Sequence, residues 1–146
     1  MPLKIVVVED DHLDREWIYD ELRKYFSDAA IELIVNEKDF KDQLPRLAQS
    51  PPDVFIIDIM LRWNEPIEGE EITDIPVQVQ KDGYYTAGLR CLSYVTQFET
   101  LRGVPHILYT GLDINNFPGE VIHMKTDDIS SLIGEIRKQL RKNESR

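Results

Sequence analysis

The sequence predicts an α/β protein with a doubly wound, five-stranded parallel sheet, and three observations predict it. Five short apolar runs recur along the 146 residues, continuous rather than alternating, as strands buried on both faces require. Between them lie segments whose apolar residues repeat at helical spacing. Several runs also stop abruptly at a carboxylate, a hydroxyl or an ammonium group. Alternating strands and helices place helices on both faces of a parallel sheet, with ligand sites beyond the carboxyl ends of the strands.

The first strand is the β-branched run Ile5 to Val8, ended by Glu9, Asp10 and Asp11. Leu13, Trp17, Ile18, Leu22, Tyr25 and Phe26 follow at helical spacing. They predict an amphipathic helix capped by Asp11, with Trp17 and Tyr25 in its packing. Ile31 to Val35 is the second strand. Phe40, Leu44 and Leu47 mark a second helix, which Pro45 is expected to distort or shorten. Val54 to Ile57, closed by Asp58, is the third strand.

Residues Trp63 to Gly83 then break the rhythm. Five acids precede Ile75, and Ile75, Val77 and Val79 alternate around Pro76. This insertion reads as a mobile acidic loop or an edge hairpin. Leu89, Leu92, Val95, Thr96 and Leu101 predict a third helix from about Tyr85 to Leu101, with Cys91 as a small buried hydrophobe. Ile107 to Tyr109, ended by Thr110 and Gly111, is the fourth strand. The link from Thr110 to Glu120 is too short and too rich in turn formers for a full helix. Val121 to Met124 is the fifth strand, and Ile129, Leu132, Ile133, Ile136 and Leu140 form the last helix. Thr126, Asp127 and Asp128 are its candidate caps, its basic end suits the helix dipole, and the tail 141–146 is expected to fray.

Composition bounds the function. Seventeen Lys and Arg against 27 Asp and Glu give a net charge of −10, which repels nucleic-acid phosphates and anionic lipid. Neither nucleic acid nor membrane is therefore expected as a partner. The single cysteine excludes an intrachain disulfide and a Cys-rich zinc site. No apolar run approaches the roughly 20 residues of a membrane span, and the N-terminus does not read as a signal peptide. The expectation is one cytoplasmic domain over 1–146.

In a parallel sheet the strand ends at Glu9 and Asp10, Asp58, Thr110 and Lys125 converge on one edge. Three carboxylates so close raise one another's pKa unless a cation offsets them. A hard divalent ion meets that need, and Mg²⁺ suits a sparse carboxylate site that keeps its waters. A metal beside a carboxylate, with a lysine and a hydroxyl nearby, is a phosphoryl-transfer arrangement. His12, His106 and His123 cluster neither with one another nor with Cys91 along the chain, and read as solvated or core residues.

The segments KIVVVEDDHLDR, PDVFIIDIML, HILYTG and HMK resemble, in order, strand context and residue type, the receiver domain of two-component response regulators. The resemblance spans essentially the whole chain apart from the insertion. It implies a flavodoxin-like, receiver-like fold with a reduced fourth helix. It implies that Asp58 is the phosphoacceptor, Asp10 the direct Mg²⁺ ligand and Glu9 an acid holding the ion through water. The backbone carbonyl of Met60 resembles the third protein ligand. Thr110 matches the hydroxyl that turns toward the phosphoryl group, and Lys125 the lysine that pairs with it. The implied partners are a sensor histidine kinase or phosphotransfer protein and a downstream protein. With the chain ending at its last helix, a stand-alone receiver without an effector domain is expected.

The sequence departs from that family at three places. Arg62 and Thr126 stand where prolines are usual, so the usual cis peptide after the lysine is not expected. Ile122 stands where an aromatic switch residue is usual, three residues before Lys125. The leading reading is a phosphorylation-controlled interaction protein, not an enzyme beyond its own phosphorylation and slow dephosphorylation. The alternatives are a phosphorylation-independent pseudo-receiver scaffold and an Mg²⁺-dependent phosphatase of the haloacid-dehalogenase type. The phosphatase lacks its proton donor, since Met60 stands two residues after Asp58.

Overall fold

In the computed structural model, which describes residues 2–64, 75–83, 86–111 and 120–144, five parallel strands run in the order β2-β1-β3-β4-β5. The strands are β1 (Lys4–Val8), β2 (Ala30–Ile34), β3 (Val54–Asp58), β4 (His106–Thr110) and β5 (Ile122–Met124). The helices are α1 (His12–Tyr25), α2 (Glu37–Gln49), α3 (Val77–Asp82), α4 (Ala87–Val95) and α5 (Ile129–Glu144), with a 3₁₀ turn at Glu99–Leu101. β1 lies between β2 and β3, so chain order reverses there and opens a crevice at the carboxyl ends of β1 and β3.

Side chains alternate across each strand, and both faces are covered. Val6, Val8, Phe55, Ile57 and Leu108 face α2 and α4, where they meet Phe40, Leu44, Leu47 and Cys91. Ile5, Val7, Ile56, Ile107 and Tyr109 face the other way, onto Ile18 and Leu22 of α1 and Leu132, Ile133 and Ile136 of α5. Double burial explains why the strands read as unbroken apolar runs.

Several expectations need correction. Leu13, Trp17 and Tyr25 are exposed, and only Ile18 and Leu22 of α1 are buried, because α1 touches the sheet along a narrower stripe than its apolar spacing suggests. The helix at Pro45 is not shortened: Pro45 lies on its exposed face, and the helix runs on to Gln49. The described part of the insertion is helical, not an edge hairpin. Pro76 precedes α3, Val79 is buried, and Gly83 ends the helix at φ 75°, its N–H donating to the Val79 carbonyl at 2.8 Å. The third helix is also shorter than expected, breaking after Val95 before the 3₁₀ turn. α5 runs through Glu144, beyond the Leu140 end that its apolar spacing marks.

Other expectations agree with the structure. Asp11 caps α1, accepting from the Asp14 N–H at 2.9 Å. Asp128 accepts from the Ser130 N–H at 3.1 Å at the start of α5. Cys91 is buried, and burial pushes its thiol pKa well up. Among the described residues no peptide bond is cis. The bulk of the acidic insertion and the reduced fourth helix fall mostly on 65–74 and 112–119, outside the described residues.

Candidate functional site

The carboxyl ends of β1 and β3 bring Glu9, Asp10 and Asp58 together, each with a carboxylate oxygen within 4.8 Å of the others. The backbone leaves little freedom in this placement. The Glu9 N–H donates to the Ile34 carbonyl at 3.0 Å, carrying the β1–β2 ladder one residue beyond the strands. The Arg15 guanidinium then reaches back from α1 to the carbonyls of Glu9 and Asp10 at 3.2 and 3.3 Å. Asp58 is the last residue of β3, and its Oδ1 accepts the Met60 N–H at 3.0 Å, turning the chain over the site.

Lys125 enters from β5. Its N–H donates to the Thr110 carbonyl at 2.7 Å, which extends the β4–β5 ladder and aims the side chain across the sheet end. Its ammonium donates to Glu9 Oε1 at 2.8 Å, Asp58 Oδ2 at 2.9 Å and Asp14 Oδ2 at 3.0 Å. Thr110 is fully buried at the end of β4, one residue past Tyr109, the register partner of Asp58. Met60 lines a cavity at these strand ends, together with Glu9, Asp10, Asp58 and Lys125. The six residues singled out in the sequence therefore lie at one edge of the sheet. Ile122, half-buried, packs toward the α2–α4 side.

The electrostatics are unbalanced. Glu9 is fully buried, and burial together with the neighbouring Asp58 raises its pKa to about 10, although Lys125 opposes the shift. Burial likewise raises Asp10. Burial disfavours the Lys125 ammonium, but Asp58 and Glu9 outweigh it and hold its pKa above the ordinary value. One lysine thus serves a cluster with more negative charge than it can neutralise. Glu9 Oε2 is buried with no hydrogen-bond partner among the described residues. That orphaned oxygen and three converging carboxylates fit a hard divalent cation such as Mg²⁺.

Three contributors carry no clear signal in the sequence. Asp14 shares Lys125 with the acids at the strand ends; it lies in the first turn of α1, but only the fold brings Lys125 to it. Arg62 holds Asp10: its backbone N–H donates to Asp10 Oδ2 at 3.0 Å, a bond that proline at this position would lack. Gly88 seats α4 on the site, its N–H donating to the Ile59 carbonyl at 2.8 Å. A Cβ at Gly88 would lie 2.5 Å from the Asp58 carbonyl oxygen.

The site opens into a cavity of about 590 Å³, walled on one side by Trp63, Ile75 and Val79. Trp63 thus borders the acids, and its indole Nε1 is buried without a hydrogen-bond partner among the described residues. The histidines stay apart: His12 meets Glu16, His106 meets Glu120, and His123 stacks on Tyr109.

Comparison with known proteins places the fold. No family model matches the chain. A curated relative, a component of the INO80 complex from Danio rerio, is 28% identical over 114 residues, covering 77% of this chain; the chain spans 12% of that protein's length. Solved structures agree far more extensively. The N-terminal domain of a response regulator/sensory box/GGDEF 3-domain protein from Carboxydothermus hydrogenoformans superposes with TM-score 0.67 at 18% identity, covering 97% of each chain. The signal receiver domain of a DNA-binding response regulator from Colwellia psychrerythraea 34H gives 0.66 at 18% identity, covering 95% of this chain and 98% of its own. The Mn²⁺-bound form of the response regulator Rcp1 gives 0.59 at 16% identity, covering 94% and 91%. The chain has the receiver fold that the sequence predicts. No helix among the described residues is long and apolar enough to cross a membrane.

Proposed function

We propose that this protein is a phosphoacceptor signalling receiver. It takes a phosphoryl group on Asp58 with the help of Mg²⁺ and signals through contact with another protein. The observation that carries the reading is the convergence of Asp58, Glu9 and Asp10 with the Lys125 ammonium at the end of a receiver-fold sheet. In the transfer, an Asp58 carboxylate oxygen attacks the phosphorus of a phosphoimidazole on a sensor kinase or phosphotransfer protein. The new O–P bond forms as the P–N bond breaks, and the electron pair leaves with the imidazole nitrogen, which takes up a proton.

Glu9, Asp10 and Asp58 would hold the cation, together with the Met60 carbonyl that the resemblance implies. When bound, Mg²⁺ offsets charge on the phosphoryl oxygens. The structure of Mn²⁺-bound Rcp1 supports a divalent ion in this fold. Lys125 already touches Asp58 and is placed to pair with the new phosphoryl oxygens. The added group brings negative charge and further acceptor oxygens to the site. Lys125 and Thr110 then shift toward it and bias the surface that a partner reads. Beyond its own phosphorylation and slow hydrolysis the protein turns over no substrate, and it acts in the cytoplasm.

The test is incubation with Mg²⁺ and acetyl phosphate, followed by intact mass. One phosphoryl adduct is expected on the wild type and none on Asp58→Asn. An adduct that persists in Asp58→Asn refutes the acceptor. Equal, adduct-free behaviour of both proteins favours the scaffold reading.

A further inference from the structure

The acids explain what Lys125 binds, but not what holds its side chain over the strand ends. The Lys125 ammonium lies 5.3 Å from the centroid of the Tyr109 ring, within the range of a cation–π contact. Tyr109 is buried on β4 immediately before Thr110, among the residues that face α1 and α5. Its ring stacks on that of His123 at 5.8 Å between centroids and 12° between planes. His123 is buried on β5, and its Nδ1 shares a hydrogen bond with Ser131 Oγ in the first turn of α5 at 3.3 Å. A continuous path thus runs from the acid cluster through Lys125, Tyr109 and His123 to α5.

We propose that Tyr109, backed by His123, is a positioning residue that keeps the Lys125 ammonium at the acid cluster. The inference rests on the phosphoacceptor reading for its consequence, though not for its geometry. Three carboxylates attract the ammonium without fixing the path of its four-carbon stem. A rigid aromatic face beside it narrows the positions from which it can transfer from the Asp58 carboxylate to a phosphoryl oxygen. The ring contributes through its π face, so phenylalanine can replace tyrosine and an aliphatic residue cannot.

The test compares wild type, Tyr109→Phe and Tyr109→Leu by two measurements. By NMR, the Lys125 side-chain protons, assigned by their loss in Lys125→Arg, are expected to be shifted upfield by the ring in wild type and Tyr109→Phe. The shift is expected to vanish in Tyr109→Leu. By intact mass with acetyl phosphate, Tyr109→Phe is expected to form adduct within about twofold of the wild-type rate, and Tyr109→Leu about tenfold more slowly. An unshifted Lys125 resonance in wild type overturns the proposal without any variant, so a Tyr109→Leu protein that fails to fold does not protect it. Wild-type adduct formation in folded Tyr109→Leu, or equal slowing in both variants, overturns it as well. If wild type takes up no phosphoryl group, the phosphoacceptor reading fails, while the Lys125 resonances still decide the positioning role.

Discussion

Replacing Gly88 by alanine sets two effects of opposite sign against each other. Alanine is the better helix former by up to about 1 kcal/mol, so propensity alone predicts stabilisation. The added Cβ, however, would lie 2.5 Å from the Asp58 carbonyl oxygen and 2.7 Å from the Ile59 Cα. Both are backbone atoms of a strand end paired to β4, so neither yields as a flexible side chain would. Relief requires α4 to lift away from β3, which stretches the 2.8 Å bond from the Gly88 N–H to the Ile59 carbonyl. Overpacking of this kind costs about 1–3 kcal/mol and losing the bond adds about 1 kcal/mol. The net expectation is destabilisation of about 1–3 kcal/mol, read as a lower urea midpoint at unchanged slope. Gly134 is the internal control. It lies exposed within α5, and a Cβ there would meet nothing within 4 Å, so Gly134→Ala should stabilise by about 0.5–1 kcal/mol. Because the clash is with Asp58 itself, Gly88→Ala should also slow adduct formation at this residue. A Gly88→Ala protein as stable as Gly134→Ala would refute the close approach of α4 to the acceptor strand.

Further outcomes follow from the charges. Glu9 has a folded pKa of about 10 against an ordinary 4.5, so between these values the metal-free folded protein holds a proton that the unfolded chain has lost. Its contribution to stability therefore falls as pH rises through that window, by up to about 1.4 kcal/mol per pH unit, and saturating Mg²⁺ should flatten the slope; melting temperature against pH with and without Mg²⁺ checks both. Lys125→Ala should retain Mg²⁺ binding, lose stability without metal as Glu9, Asp14 and Asp58 lose the ammonium they share, and recover part of it when Mg²⁺ is added, as thermal melts would read. Arg90→Ala leaves the fully buried Glu37 carboxylate without its two guanidinium bonds at 2.7 and 2.8 Å and should cost about 3–5 kcal/mol; the double variant Glu37→Leu/Arg90→Leu should cost much less, a contrast that urea unfolding measures.

Where burial is two-sided, the strands were legible. Ile5 to Val8 and Val54 to Ile57 face apolar partners on both sides, so composition alone marks them. Their ends were legible for the same reason, because a parallel sheet turns the termini of such runs into one edge. The misreadings share a cause. α1 carries Leu13, Trp17 and Tyr25 at helical spacing, yet whether such a residue is covered depends on how far the helix lies across the sheet, which spacing does not encode. Ile75, Val77 and Val79 alternate as a strand would, but the segment has no strand beside it among the described residues, and Pro76 and Gly83 bracket a short helix.

The chemistry of the site was legible as residue types, whereas the contacts that hold it in place were not. Nothing along the chain reveals that the Arg62 N–H reaches Asp10, 52 residues away, or that Lys125 bridges to Asp14 across 111. The Arg62 loop shows why such contacts matter. The Arg62 carbonyl accepts the Glu37 N–H at 2.9 Å, and the Glu37 carboxylate is gripped by Arg90 and by the Tyr94 hydroxyl at 2.6 Å. One residue therefore couples the Asp10 carboxylate to the first turn of α2 and, through a buried ion pair, to α4. Since Gly88 of the same helix bears on the Asp58 backbone, α4 meets the acid cluster from two directions. A change of charge at Asp58 that moved the strand end would strain both contacts at once. Double-mutant cycles between Arg90 and Gly88 should accordingly show a coupling of about 0.5–3 kcal/mol, and simple additivity would mean that the two contacts act independently.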